Sequence, residues 1–226
     1  TLQDLQIATA AQLANNDLPP DNLVTKSGFT ANTVEAVNSA RLEKMMSFAS
    51  DIATASATAF RQRTGCGTNA NTCASEFLKL AEKMYRRPLS SIESNPLKAV
   101  FTQYGAVDGA KVAIKAALTA PQFLYRSELG LTVAEAREQN IDLGTNASGQ
   151  AIIDTLDSDT FILAPYEMAT ALAYIYTGST PDDELLTAAR NGRVYKSADI
   201  QAIAKRLMAT PKAKKHMQEF GATWFQ

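Results

Sequence analysis

The strongest constraint on this chain is helical: alanine-rich stretches whose apolar residues recur at three- and four-residue steps, cut at intervals by proline. Between Thr33 and Arg61, the residues Val34, Val37, Ala40, Leu42, Met45, Phe48, Ile52 and Ala55 fall on one broad face, which predicts a long amphipathic helix. Ala74–Arg87 repeats the pattern with Phe77, Leu80, Ala81, Met84 and Tyr85 inward. Pro88 ends it, because the residue before a proline is pushed out of the α region. Ser90 and Glu93 then read as a capping box, with helix from Leu97 to Gln103, a break near Gly105 or Gly109, and helix again over Ala110–Thr119. Pro121 suits the first turn of a helix over Gln122–Leu129, and Gly130 suits its left-handed stop.

Two segments interrupt this rhythm. Residues 1–32 read as a short helix carrying Leu2, Leu5, Ile7 and Leu13, then turns around Pro19-Pro20-Asp21-Asn22. Around 140–163, Gly144, Asn146, Ser148 and Gly149 favour turns, and Ile152-Ile153 with Phe161-Ile162-Leu163 read as two short strands of a β-hairpin. After Pro165, helices are expected over Tyr166–Thr177, Pro181–Asn191, Ser197–Ala209 and Lys212–Phe225. Thr180-Pro181-Asp182-Asp183 offers an N-cap, a first-turn proline and acids, and Gly192 a stop. The expected fold is all-α: an irregular multi-helix bundle of about eight to ten helices, with one short β-hairpin near 150–163.

With 226 residues the chain can bury a substantial core as one large domain or two small ones. Its 22 Lys+Arg against 23 Asp+Glu leave no chain-wide basic footprint, so nucleic acid is not an expected partner. No stretch approaches the roughly 18 apolar residues of a membrane span. Thr1 is not an initiator methionine and no signal-peptide pattern follows it, so a mature or trimmed product is expected. The aromatic end, with Phe220, Trp224 and Phe225, reads as a cleavage or truncation point, with Trp224 and Phe225 as interface candidates.

Cys66 and Cys73 flank Gly67-Thr68-Asn69-Ala70-Asn71-Thr72, a loop composition that allows them to meet. A structural disulfide is expected, two free thiols being the alternative, and its formation implies an oxidising compartment. No histidine follows Cys73 and the spacing is not C-x-x-C, so haem attachment and thioredoxin-like chemistry are excluded for this pair.

Every other candidate group has a plainer structural reading. His216, the single histidine, is either a polar residue near a helix terminus or an axial haem ligand or general base. Asp182, Asp183 and Glu184 either cap a helix or form an acid–base cluster. Asp154, Asp157 and Asp159, with Thr155, Ser158 and Thr160, have the oxygen chemistry of a calcium loop but lack the EF-hand glycine and distal glutamate. Tyr166, Tyr174 and Tyr176 read as core or as a sugar platform, and Lys205, Arg206, Lys212, Lys214 and Lys215 as a solvated basic face. Arg86, Arg87 and Arg126 each lie beside an aromatic residue and a proline-set boundary. They either tie helix ends together, with Glu82, Glu93 or Glu128 as partners, or form an anion- or partner-docking site.

Taken together, the ordered segments are Glu82-Lys83-Met84-Tyr85-Arg86-Arg87-Pro88-Leu89, Ala116 to Arg126, Leu163-Ala164-Pro165-Tyr166-Glu167-Met168-Ala169, Gly178 to Leu186, Met208 to Ala213, and Phe220 to Trp224. This succession resembles the bacterial domain of unknown function 1592 with its usual neighbour, domain of unknown function 1595, over residues 74–226. Residues 1–73 would then form an N-terminal helical segment with the cysteine loop, 74–139 the 1595-like domain and 140–226 the 1592-like domain. The family tends to have Ser or Thr where Ala164 stands, and the first 60 or so residues match its N-terminal domain poorly. The resemblance implies an exported protein (periplasmic, cell-surface or extracellular) of planctomycete type. Its candidate partners are other domains or subunits, a c-type cytochrome or a polysaccharide. It carries over no catalytic residue, and no cofactor or metal is expected in this chain. The resulting expectation is a non-catalytic scaffold or interaction module of a larger exported protein. The alternative is a module of a redox or carbohydrate-active enzyme whose cofactor lies on another domain or chain.

Overall fold

The computed structural model describes residues 2–14 and 39–224. The expected turn at 19–22 and the positions Val34, Val37 and Phe225 lie outside the described residues. The chain divides into two compact units, Thr1–Tyr125 with Thr223–Gln226, and Arg126–Ala222. The expected fold class holds: ten helices are described, with a single two-stranded antiparallel sheet.

The first unit contains α1 (Ala10–Ala14), α2 (Ser39–Thr64), α3 (Ala70–Tyr85), α4 (Ser91–Thr119) and the short α5 (Pro121–Leu124). Helix α4 packs against both α2 and α3. Each of the three contributes one phenylalanine to the centre of the core: Phe60, Phe77 and Phe101, at most 2% exposed. Phe77 meets Phe60 edge-on, with centroids 6.0 Å apart at 82°. It meets Phe101 at 5.8 Å and 46°. These are favourable quadrupolar arrangements. Burying each ring contributes about 1.5–3 kcal/mol.

The expected break in α4 falls at Gly105, whose φ of 71° and ψ of −172° are not helical. The bend brings Gly109 so close to Phe101 that an added Cβ would lie 3.1 Å from the Phe101 Cα. The two glycines therefore act together, one turning the chain and the other allowing its halves to touch. At the other end of the unit, Gly65 and Gly67 adopt φ of 68° and 56° between α2 and α3. Cys66 is joined to Cys73 there, with Cα atoms 5.0 Å apart, and Asn69 caps α3 by accepting the Thr72 N–H at 3.0 Å.

The second unit contains β1 (Leu131–Thr132), α6 (Val133–Glu138), a 3₁₀ turn (Ile152–Thr155), β2 (Phe161–Ile162), α7 (Pro165–Thr177), α8 (Asp183–Arg190), α9 (Ser197–Met208) and all but the last two residues of α10 (Pro211–Trp224). Helix α7 packs on α8 and α9. Leu172, Leu185, Val194, Ile203 and Leu207 form the shared core with Ile162 of the sheet.

Three local expectations are corrected here, and one helix is added. The strand at Phe161–Ile162 exists, but it pairs with Leu131–Thr132, and Ile152-Ile153 begins the 3₁₀ turn instead. The helix expected over Gln122–Leu129 stops at Leu124, since Tyr125 is already extended and the chain then runs towards β1. Helix α6, not anticipated, starts from a full capping box: the Glu135 N–H donates to Thr132 Oγ1 at 3.2 Å and the Thr132 N–H to Glu135 Oε2 at 2.8 Å. Helix α8 begins at Asp183, and its cap is Asp182 rather than Thr180: the Leu185 N–H donates to Asp182 Oδ1 at 2.8 Å.

Candidate functional site

Within the first unit, the Tyr-Arg-Arg-Pro segment forms a polar joint. Helix α3 ends at Tyr85, and Arg86 takes the left-handed conformation, with φ 62° and ψ 19°, that glycine usually occupies at such an end. Its side chain is 6% exposed. The Arg86 guanidinium donates from Nη2 to the Gln122 and Tyr125 carbonyls, both at 2.8 Å. Longer contacts run from Nη1 to the Met84 and Phe123 carbonyls, at 3.2 and 3.4 Å. A buried cation thus closes the carbonyl end of α5 and joins it to the end of α3.

Arg87 forks onto Glu93, with Nη2–Oε1 at 2.7 Å and Nη1–Oε2 at 2.9 Å. The same carboxylate accepts the Ser90 N–H at 2.9 Å and completes the expected capping box of α4. Arg87 first, and the Ser90 donors with it, hold the Glu93 carboxyl well below the usual carboxylate range, at about 2. In the second unit, Arg126 Nε lies 2.8 Å from Glu128 Oε1, and its guanidinium carbon sits 5.1 Å from the Tyr174 ring centroid. All three arginines are therefore engaged within their own units, and Arg87 and Arg126 meet the expected partners Glu93 and Glu128.

Glu167 collects donors in the second unit. It accepts the amides of Leu129, Gly130 and Ala164 at 3.1, 3.0 and 3.0 Å, and the Ser127 hydroxyl at 3.2 Å. Ala164 has no side-chain acceptor for the first turn of α7, and this carboxylate, three residues on, supplies the other half of the capping arrangement. Asp182 has a similar double duty. Arg206 approaches it through Nη1 to Oδ2 at 2.5 Å and reaches Glu184 through Nε at 3.1 Å. Burial opposes ionisation of Asp182, but Arg206 and the Leu185 amide outweigh it and hold the carboxyl below its ordinary value. Asp182 and Glu184 thus serve the helix start and its ion pairs.

The calcium reading gains no geometry. Asp154 pairs with Arg137 at 3.0 Å, and no group of three His, Cys, Asp or Glu among the described residues could hold a metal ion. Tyr166 and Tyr176 pack against the core, while Tyr174 faces Arg126. His216 is half-buried against Gly178, the left-handed end of α7. Along α10, Met217, Phe220 and Trp224 are 53%, 46% and 62% exposed at steps of three and four residues, which puts them on one helical stripe.

One concave site was not anticipated. In the second unit, a groove of about 510 Å³ lies where the segment after α6 meets the turn from α8 to α9. Both bordering helices end in left-handed turns. Asn140, with φ 55°, lets Ile141 N–H donate to Ala136 O at 2.9 Å. Gly192, with φ 68°, lets Arg193 N–H donate to Ala188 O at 2.9 Å. Ile141 and Val194 then drop into the core and fix the groove walls. Tyr195 lies along the groove and donates its hydroxyl to Leu163 O at 2.7 Å; burial first, then the Glu167 charge, raise its pKa.

Lys196 Nζ lies 2.5 Å from Asp142 Oδ2, which also accepts the Gly144 N–H at 2.8 Å. That partner raises the Lys196 pKa and lowers that of Asp142. Arg190 and Arg193 line the same groove. The visible signal for them was a pair of cations flanking a helix-stop glycine, Arg190-Asn191-Gly192-Arg193, but the opposing wall comes from residues some fifty positions earlier.

Comparison with known families assigns both halves of the motif succession. Residues 73–128 match the family described as PSD5, protein of unknown function (DUF1595), and residues 163–226 match PSD4, protein of unknown function (DUF1592). Neither a curated protein nor a solved structure matches the chain. The arginine joint lies inside the first match, while Asp182, the Arg190–Arg193 wall and the α10 stripe lie inside the second. The chain thus carries a segment similar to DUF1595 followed by one similar to DUF1592, in the order its motifs run.

Proposed function

We propose that this chain is a non-catalytic interaction module of a larger exported protein, presenting helical surface to partner domains or subunits. The observation that carries the reading is α10, where the large apolar residues Met217, Phe220 and Trp224 remain exposed at steps of three and four residues. Exposed aromatic and methionine side chains in a row have the composition of interface cores rather than of solvated helix surface. The Cys66–Cys73 bond supports maturation in an oxidising compartment. No helix among the described residues is long and apolar enough to cross a membrane, which is compatible with export.

Hydrogen exchange on the full-length polypeptide, compared with this chain alone, tests the proposal. The amides of α10 should gain protection in the full-length protein, and the combined Met217→Lys, Phe220→Lys and Trp224→Lys substitutions should remove the gain. Equal exchange of α10 in both proteins overturns the reading.

A further inference from the structure

Of the arginine side chains described, Arg61, Arg63, Arg86, Arg87, Arg126, Arg137 and Arg206 each have a hydrogen bond, ion pair or ring partner within the chain. Arg190 and Arg193 have none among the described residues, are exposed, and line one groove. A guanidinium is always charged and presents five N–H donors in a rigid fork, so two such groups around a concavity form a donor array waiting for an acceptor.

We propose that this groove is a binding site for a small hydroxylated carboxylate, held by Arg190 and Arg193. The volume of about 510 Å³ falls within the range of small-molecule sites. Charge selects the class of anion. The groove wall also carries Lys196, Asp142 and Asp199, but Lys196 is occupied by Asp142. With Asp199 set against the two arginines, one positive charge remains, which suits a monoanion and penalises a phosphate dianion through the nearby carboxylates. Gln139 and Asn191 line the same groove and carry neutral amide donors and acceptors suited to hydroxyl groups, while Asn140 Nδ2 is already turned to the Glu138 carbonyl at 3.4 Å. The site lies within the second unit and is independent of the α10 stripe.

Amide chemical shifts followed during titration test this directly. D-Galacturonate is the probe, with galactose and inorganic phosphate as comparisons, each up to about 10 mM, the weak end expected for solvent-exposed charged contacts. Galacturonate should shift residues 190–196 and 139–142 saturably, and added salt should weaken the effect. Arg190→Ala/Arg193→Ala should weaken binding by about tenfold or more, the factor expected for losing a charged hydrogen bond. Asp199→Asn should tighten it, which a purely structural role for the arginines does not predict. Thermal unfolding of each variant checks that the fold survives. The proposal fails if galacturonate produces no shift, if galactose matches it, if phosphate binds more tightly, or if the double alanine variant binds unchanged.

Discussion

Arg86 offers a sharp test of what the Tyr-Arg-Arg-Pro segment does. Its guanidinium makes two short charged contacts, to the Gln122 and Tyr125 carbonyls at 2.8 Å. Charged hydrogen bonds of this kind contribute about 1.5–3 kcal/mol each. Water can reach the partly exposed carbonyls once the side chain is gone, so Arg86→Ala should cost about 2–4 kcal/mol. Arg86→Gly separates two effects that the alanine variant mixes. Glycine relieves the left-handed strain at φ 62°, worth about 1–2 kcal/mol.

If Arg86 mattered only as a helix stop, glycine would therefore stabilise the protein. If its fork ties α3 to α5, the glycine variant should still be less stable than the wild type, by about 1–2 kcal/mol, and more stable than Arg86→Ala. Arg86→Lys should fall between wild type and alanine, because an ammonium cannot reproduce the planar fork. Urea unfolding followed by circular dichroism measures the midpoints, with an unchanged slope confirming comparable transitions. An Arg86→Gly protein as stable as the wild type refutes the tether.

Two further predictions rest on single contacts. The folded state holds Glu93 at about 2 against an ordinary 4.5, so its ionised pair with Arg87 stabilises the protein above the usual carboxylate range. That contribution should fade as pH drops from about 4.5 towards 2, and Glu93→Gln should show a flatter decline of melting temperature over the same window; parallel profiles would count against the pair. Gly178 has φ 62°, and a methyl group there would lie 2.6 Å from His216 Nδ1. Gly178→Ala should destabilise by about 2 kcal/mol or more through strain and overlap together, and His216→Ala in that background should restore part of the loss. Additive effects of the two substitutions, measured by denaturant midpoints, would exclude the contact.

Helix periodicity made most of the architecture legible in the sequence, because burial of one apolar face decides helix formation wherever the stripe is long. Gly105, Pro121 and Gly192 each act as punctuation where their backbone chemistry says they should, whereas Gly130 closes no helix because α5 has already ended at Leu124. The failures lie where a longer-range contact overrides a local signal. Thr180 is a good cap by composition, yet Asp182 takes the position and Arg206, 24 residues away, holds the same carboxylate. Ile152 and Ile153 have strand propensity, but they open a 3₁₀ turn, and Phe161–Ile162 pairs instead with Leu131–Thr132 from about thirty residues earlier. The Arg86 acceptors are backbone carbonyls, which every residue has, so nothing in the sequence marks them. The groove was hidden for the same reason: its walls are set by two helix ends that only the folded chain brings together.

The Cys66–Cys73 bond has a use beyond holding a corner. Cys66 is 3% exposed and Cys73 0%, so a dissolved reductant can reach the bond only after the junction of α2 and α3 parts. Under native conditions, the rate at which free thiols appear then counts those openings, much as amide exchange does. The protein carries its own clock for the first unit, readable with a thiol reagent and no label, while the second unit contributes no cysteine to the signal.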